Sequence, residues 1–243
     1  MSRLHKPKAG FWIRRCVIVI YPVDALLFRI RWHRLDRITP PGEGGVMIAI
    51  NHVSHLDTLV MARFVWQSGR VPRFMVKAGV LHKPLLGQIL RGAGQIPVYR
   101  GTADAANSLD AAVDALHRGE AVVIYPEGTT TKDPDNWPMV GKTGIARLVL
   151  LSPATPVIPV GQWGAHKRRG LSAERFLRRR TAQVSVGNPV ELSRFRGARP
   201  TAETLREITD TIMSAVRDEV AALRGRTPPA GFFQPTRRYV DKT

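Results

Sequence analysis

From residue 38 onward, apolar residues alternate between short continuous runs and runs with helical spacing. VMIAI (46–50) follows the turn-rich PPGEGG and reads as a buried strand. A helix then begins near Ser54 and carries Leu56, Leu59, Val60 and Phe64. FMVK (74–77) predicts a second strand, and 80–91 a helix with Leu85, Leu86, Ile89 and Leu90 on one face. IPVY (96–99) predicts a third strand. In 103–117, Leu109, Ala112, Val113 and Leu116 fall at i, i+3, i+4 and i+7, and Gly119 stops the helix. AVVIY (121–125), VIPV (157–160) and AQVSV (182–186) predict further strands, and 203–223 a closing helix bearing Leu205, Ile208, Ile212 and Val216. This alternation predicts an α/β fold, a largely parallel central sheet flanked by helices, with functional loops at the strands' carboxyl ends. The expected organisation is an N-terminal helical segment (1–37), one domain (38–225) and a loose tail (226–243).

The N-terminal segment breaks the pattern. Residues 11–32 read FWIRRCVIVIYPVDALLFRIRW, yet their longest charge-free run is Cys16 to Val23, with Pro22 and Asp24 in the middle. A bilayer span needs about 20 mostly apolar residues, so a simple transmembrane helix is excluded. No small-residue cleavage site follows, which argues against a signal peptide. The sequence predicts two short helical pieces hinged near Pro22. Trp12 and Trp32 stand at their ends and Arg14, Arg15, Arg29, Arg31 and Arg34 beside them, the composition of an interfacial membrane anchor. Lying at the interface would keep Asp24 wet.

Charge supports that picture. The 243 residues carry 37 Lys+Arg against 19 Asp+Glu, a net +18. Residues 1–37 hold +7 of it and residues 163–200 another +8. A field of that size predicts an anionic partner. No helix-turn-helix, RNA-binding aromatic signature or zinc finger is present, so nucleic acid is not expected and an anionic membrane surface is. Cys16 is the single cysteine, which excludes an internal disulfide and any multi-cysteine metal site and fits a cytosol-facing location. The expected place is the cytoplasmic face of the cell membrane, peripheral or monotopic.

Polar residues gather at the carboxyl ends of successive strands: NHVSHLD (51–57), Lys77, Arg100 and PEGTTT (126–131). His52 can take a proton from a hydroxyl near neutral pH, and Asp57 can hold its tautomer. Ser54-x-x-Asp57 is equally a capping box, and both readings can hold at once. No nucleophile elbow is present, so such a dyad would activate a substrate hydroxyl directly. Arg100 at a strand end fits a phosphate through its planar fork. Glu127 can hold a hydroxyl, and Gly128 lets a backbone amide approach a ligand closely. Gly141-Lys142-Thr143 ends like a P-loop but has Asn136 where that motif needs its first glycine. His52-x-x-His55 lacks the glutamate and the helix of a zinc protease site.

Four blocks in order make the sequence resemble the 1-acylglycerol-3-phosphate O-acyltransferase family, the lysophosphatidic acid acyltransferases. They are NHVSHLD, GQIPVYR (94–100), PEGT (126–129) and VIPV (157–160), and MVKAGVLHKPLLGQIL (75–90) and GKTG (141–144) are similar to the segments that link them. The resemblance covers roughly residues 40–165. It implies a glycerolipid acyltransferase fold, with His52 as general base and Asp57 its orienting partner. It also implies Lys77 and Arg100 around the acceptor's phosphate, and Glu127, Gly128 and Thr129 completing the acceptor site. The implied reaction moves an acyl group from acyl-CoA or acyl carrier protein to a lysophospholipid hydroxyl, with no metal and no cofactor beyond that thioester co-substrate. One departure stands out: many members have arginine after E-G-T, where this chain has Thr130. The acceptor's headgroup is therefore the open part, with glycerol 3-phosphate, another lysophospholipid or a glycolipid as alternatives. The basic stretch 163–200, with Trp163, His166, Lys167, Arg168 and Arg169, would either touch the membrane or hold the phosphates of coenzyme A.

Overall fold

The computed structural model describes residues 10–40, 42–99, 105–166 and 179–235. After helix α1 (Phe11–Leu27) come strands β1 (Phe28–His33) and β2 (Val46–Ile50), helix α2 (Asp57–Gln67) and β3 (Pro72–Lys77). The short helices α3 (Ala78–Leu81) and α4 (Leu86–Gly92) lead to β4 (Ile96–Val98), α5 (Ala105–His117) and β5 (Ala121–Ile124). Helix α6 (Gly144–Leu151), β6 (Val157–Trp163), β7 (Arg180–Val186) and the long helix α7 (Ala202–Arg224) complete the described order.

The seven strands form one sheet in the order β1-β7-β6-β2-β5-β3-β4. Every pairing is parallel except β6 with β7. The central strand shows how the core divides. Along β2, Val46, Ile48 and Ile50 enter one buried cluster, which α2 covers through Val60, Met61 and Phe64. Met47 and Ala49 enter the other, beneath α5, α6 and α7. Strand periodicity of two thus loads both faces of the sheet through this fully buried central strand.

The N-terminal region differs from its sequence reading in three ways. Residues 11–27 are one helix with Pro22 inside it, not two pieces. Its packing on α2 and α4 holds both halves in place of the backbone bond that a proline cannot make. Residues 28–33 are not helical: they form edge strand β1, in register with β7 from Phe28↔Arg180 to His33↔Ser185. Trp32 therefore faces Phe64, 5.7 Å between ring centroids, and is no interfacial anchor. Asp24 is fully buried, not wet. Burial pushes its carboxyl up to about 6, with Arg63 of α2 pulling the other way.

Three smaller differences follow from local chemistry. The helix expected over 80–91 breaks into α3 and α4 at Pro84, which disfavours helical backbone before it. The apolar run after Gly144 is a helix, α6, that the sequence reading left unassigned. The tail is docked, not loose, over its described part. Phe233 pairs with Met139 and accepts the Val140 N–H, while Arg217 donates to the carbonyls of Pro229 and Ala230. No helix among the described residues is long and apolar enough to cross a membrane.

Candidate active site

β2 lies between β5 and β6, so the loops leaving β2 and β5 emerge side by side. Asn51 fixes the first of them. Its buried side-chain amide donates to the Gln162 carbonyl at 3.0 Å and accepts the Gln162 N–H at 2.8 Å, tying the end of β2 to β6. His52 follows, and its Nδ1 lies 3.2 Å from Oδ2 of Asp57. Asp57 is fully buried; the His52 side chain keeps 12% exposure. The same Oδ2 accepts the N–H groups of Val53 (2.7 Å) and Ser54 (2.8 Å). Half of the capping box is thereby real. The other half is not, because Ser54 Oγ accepts from Leu56 N–H and not from Asp57. With Nδ1 held by the carboxylate, Nε2 is the nitrogen left to accept a proton.

The loop after β5 grips His52 from behind. Glu127 is 1% exposed, and its two oxygens accept the N–H groups of His52 (2.9 Å) and Met139 (3.1 Å). Burial pushes its pKa up to about 8 against the pull of those two bonds. Thr131 N–H donates to the His52 carbonyl at 2.6 Å, so both backbone groups of the histidine are fixed. The Tyr125 ring lies 4.2 Å from the imidazole, tilted by 33°. Gly128 turns the loop at φ +73°, a conformation that other residues adopt only under strain, and its N–H closes the turn on the Tyr125 carbonyl. Beyond α2, an apolar cavity of about 390 Å³ lies among α1, α2, α4 and β3, with Thr58, the residue after Asp57, in its wall.

This arrangement is an imidazole paired with a buried carboxyl group, both of its backbone groups bound, with an apolar cavity nearby. The acyltransferase family profile matches residues 29–163, more than half of the chain. The chain belongs to the acyltransferase family. A chloroplastic 1-acyl-sn-glycerol-3-phosphate acyltransferase of Arabidopsis thaliana is 24% identical over 185 residues, 73% of this chain and 47% of its own length. A 1-acyl-sn-glycerol-3-phosphate acyltransferase of Neisseria gonorrhoeae is 32% identical over 98 residues, 40% of this chain and 36% of its own length. A lyso-ornithine lipid O-acyltransferase of Pseudomonas aeruginosa is 35% identical over 81 residues, 33% of this chain and 30% of its own. The chain thus spans less than half the length of these curated relatives. The crystal structure of the 1-acyl-sn-glycerophosphate acyltransferase PlsC from Thermotoga maritima shares the fold, with TM-score 0.63 and 19% identity over 89% of this chain and 81% of that one.

The residues singled out in this acyltransferase-family sequence fall in different places. His52 and Asp57 meet. Glu127 joins them through the protein's own backbone, each of its oxygens accepting one N–H. Gly128 and Thr129 are half-buried in the same loop. Lys77 is exposed at the end of β3, in register with Val98 of β4. Arg100, two residues beyond Val98, lies outside the described residues, as do Lys167, Arg168 and Arg169 of the second basic stretch. Asn51, Tyr125 and Thr131 went unremarked as supports of the site. Their only signal in sequence is position, at or just beyond a strand end.

Proposed function

We propose that the chain is an O-acyltransferase acting on 1-acylglycerol 3-phosphate, yielding phosphatidic acid for phospholipid synthesis. The observation that carries this reading is the His52–Asp57 pair, its Nδ1 occupied and its backbone locked from two sides. His52 takes the proton of the acceptor hydroxyl as its oxygen attacks the thioester carbonyl of acyl-CoA or acyl carrier protein. The tetrahedral intermediate then expels the thiolate, which recovers the proton from the imidazolium. Asp57 stabilises that imidazolium, and no further cofactor is required for the balance. Lys77 and Arg100 take the acceptor's phosphate, with Gly128 and Thr129 beside it. The acyl chain occupies the apolar cavity, whose volume lies within the roughly 300–1,000 Å³ usual for ligand sites. The enzyme works on the cytoplasmic face of the cell membrane, held by the exposed side of α1 (Phe11, Ile18, Val19 and Leu26) without crossing it.

Thr130, in place of the arginine many members carry, favours a second reading of the acceptor: a lysolipid whose headgroup is not a phosphate monoester. The segment similar to the lyso-ornithine lipid O-acyltransferase supports it. Thiol release from acyl-CoA by the purified chain, with mass spectrometry of products across lysophosphatidic acid and other lysolipids, decides between them. Release that depends on the acceptor and falls by roughly 10²–10⁴-fold in His52→Ala, with the fold unchanged, is the expected result. Retention of more than half the activity in His52→Ala would remove the dyad from the chemistry.

A further inference from the structure

The connection between α3 and α4 is built in an uneconomical way. Leu85 takes φ +57° and ψ −61°, and the Leu86 N–H bonds the Pro84 carbonyl at 2.6 Å. That is a three-residue γ-turn of the positive-φ kind, which is rare and strained. Glycine enters it at the least cost, yet this chain has leucine. Packing does not compensate for the strain, because the Leu85 side chain is 71% exposed and Leu86 45%. Strain that persists in a native loop is a reason to look for function there, and an exposed apolar pair is a reason to look for a contact.

The surroundings identify the contact. Leu86 and Trp12 line the same apolar cavity, and the Trp12 ring lies against the backbone of Gly92 in α4. The turn thus adjoins α1, whose Phe11, Ile18 and Leu26 are each more than 60% exposed. Charge around these apolar residues has one sign. Arg14, Arg15 and Lys83 are exposed, residues 78–99 contain no carboxylate, and the single one of α1, Asp24, is buried. An apolar surface bordered by cations with no exposed anion complements an anionic lipid bilayer. We infer that Leu85 and Leu86 form a second insertion point, entering the bilayer beside α1. This rests on the interfacial reading of α1 and deepens it. Two points of attachment on adjoining elements fix the orientation of the chain on the membrane, and both elements, through Trp12 and Leu86, also line the cavity.

The test measures partition of the full chain onto sedimentable vesicles of equal parts phosphatidylcholine and phosphatidylglycerol, together with Tm. Leu85→Gln should weaken partition roughly three- to tenfold, since one large side chain no longer enters the apolar phase. Leu85→Phe should keep it, and Tm should hold in both, because the side chain touches little of the protein. Unchanged partition in Leu85→Gln, or a loss matched by a fall in Tm, would overturn the proposal. Acceptor-dependent thiol release on a short-chain soluble lysolipid should be the same in wild type and Leu85→Gln. Its absence from wild type would count against the enzymatic reading alone, since partition does not depend on turnover.

Discussion

Glu127 shows how one buried side chain can tie two loops together. Its carboxyl group accepts one N–H from the loop carrying His52 and one from Met139, joining the two loops that leave β2 and β5. Glu127→Gln keeps the shape but sets an NH₂ group against one of those N–H donors. An unmet buried donor costs about 1–3 kcal/mol. Tm should fall, and kcat with it, while the KM for acceptor stays close to wild type. A raised acceptor KM at unchanged kcat would return Glu127 to the acceptor site. Asp24 poses a different residue-scale problem. Neither of its oxygens has a hydrogen-bond partner, and Arg63 is the cation facing it. Burial raises its pKa in the folded chain to about 6, above the ordinary 3.8 of an aspartate. Its neutral form is therefore favoured by folding: the contribution is whole below pH 3.8 and is lost as pH rises through about 6. Asp24→Asn should stabilise the chain by about 1–3 kcal/mol at pH 8 and hardly at all at pH 4. Equal Tm changes at the two pH values would sink this account.

The C-terminal segment acts on the site as an element. Phe233 pairs with Met139 and holds the Val140 N–H, and Met139 in turn donates to Glu127. Arg217 adds two bonds to Pro229 and Ala230 and lies 4.7 Å from the Phe232 ring centroid. A second link runs from the end of α7, where the Arg224 guanidinium sits 3.9 Å from the Trp137 ring centroid and 4.2 Å from that of Trp163. A chain ending at Thr227 should lose the first link and keep the second. Its stability should drop by about 1–3 kcal/mol, the scale of a few lost hydrogen bonds, and kcat should fall more than KM. Unchanged turnover would show that the loop holds His52 without this strap. Removing residues 1–34 would take away edge strand β1 and the Arg34–Glu219 ion pair, so substitutions on the exposed side of α1 are the cleaner probe of membrane contact.

Charge is a property of the whole molecule, and here its excess is +18. Attraction between exposed charges is screened over about 10 Å at 0.1 M salt and about 3 Å at 1 M. Apolar insertion is not screened. Binding to anionic vesicles should therefore weaken with salt and level off above zero at about 1 M, while binding to phosphatidylcholine vesicles should change little. Complete release at high salt would mean that the apolar face of α1 does not enter the bilayer.

Six of the seven strands were legible in the sequence, because each is an apolar run closed by turn residues. The seventh was not. FRIRWH alternates apolar and basic residues, and only the pairing of β1 with β7 decides that it is an edge strand and not the end of an amphipathic helix. The dyad was legible through NHVSHLD, since His52 and Asp57 lie within one loop and helix start, where local backbone geometry suffices to bring them together. Glu127 was legible as a residue of the site, but its backbone contacts were not. The fold delivers two N–H groups to it, one of them from 75 residues away. Tyr125, Thr131 and Phe233 carry no signal of their own, because stacking on or bracing another loop depends on which strands become neighbours. Sequence determined six of the seven strands, the charge and the His52–Asp57 pair. Tertiary structure decided what holds that pair still, because those supports come from segments far apart along the chain.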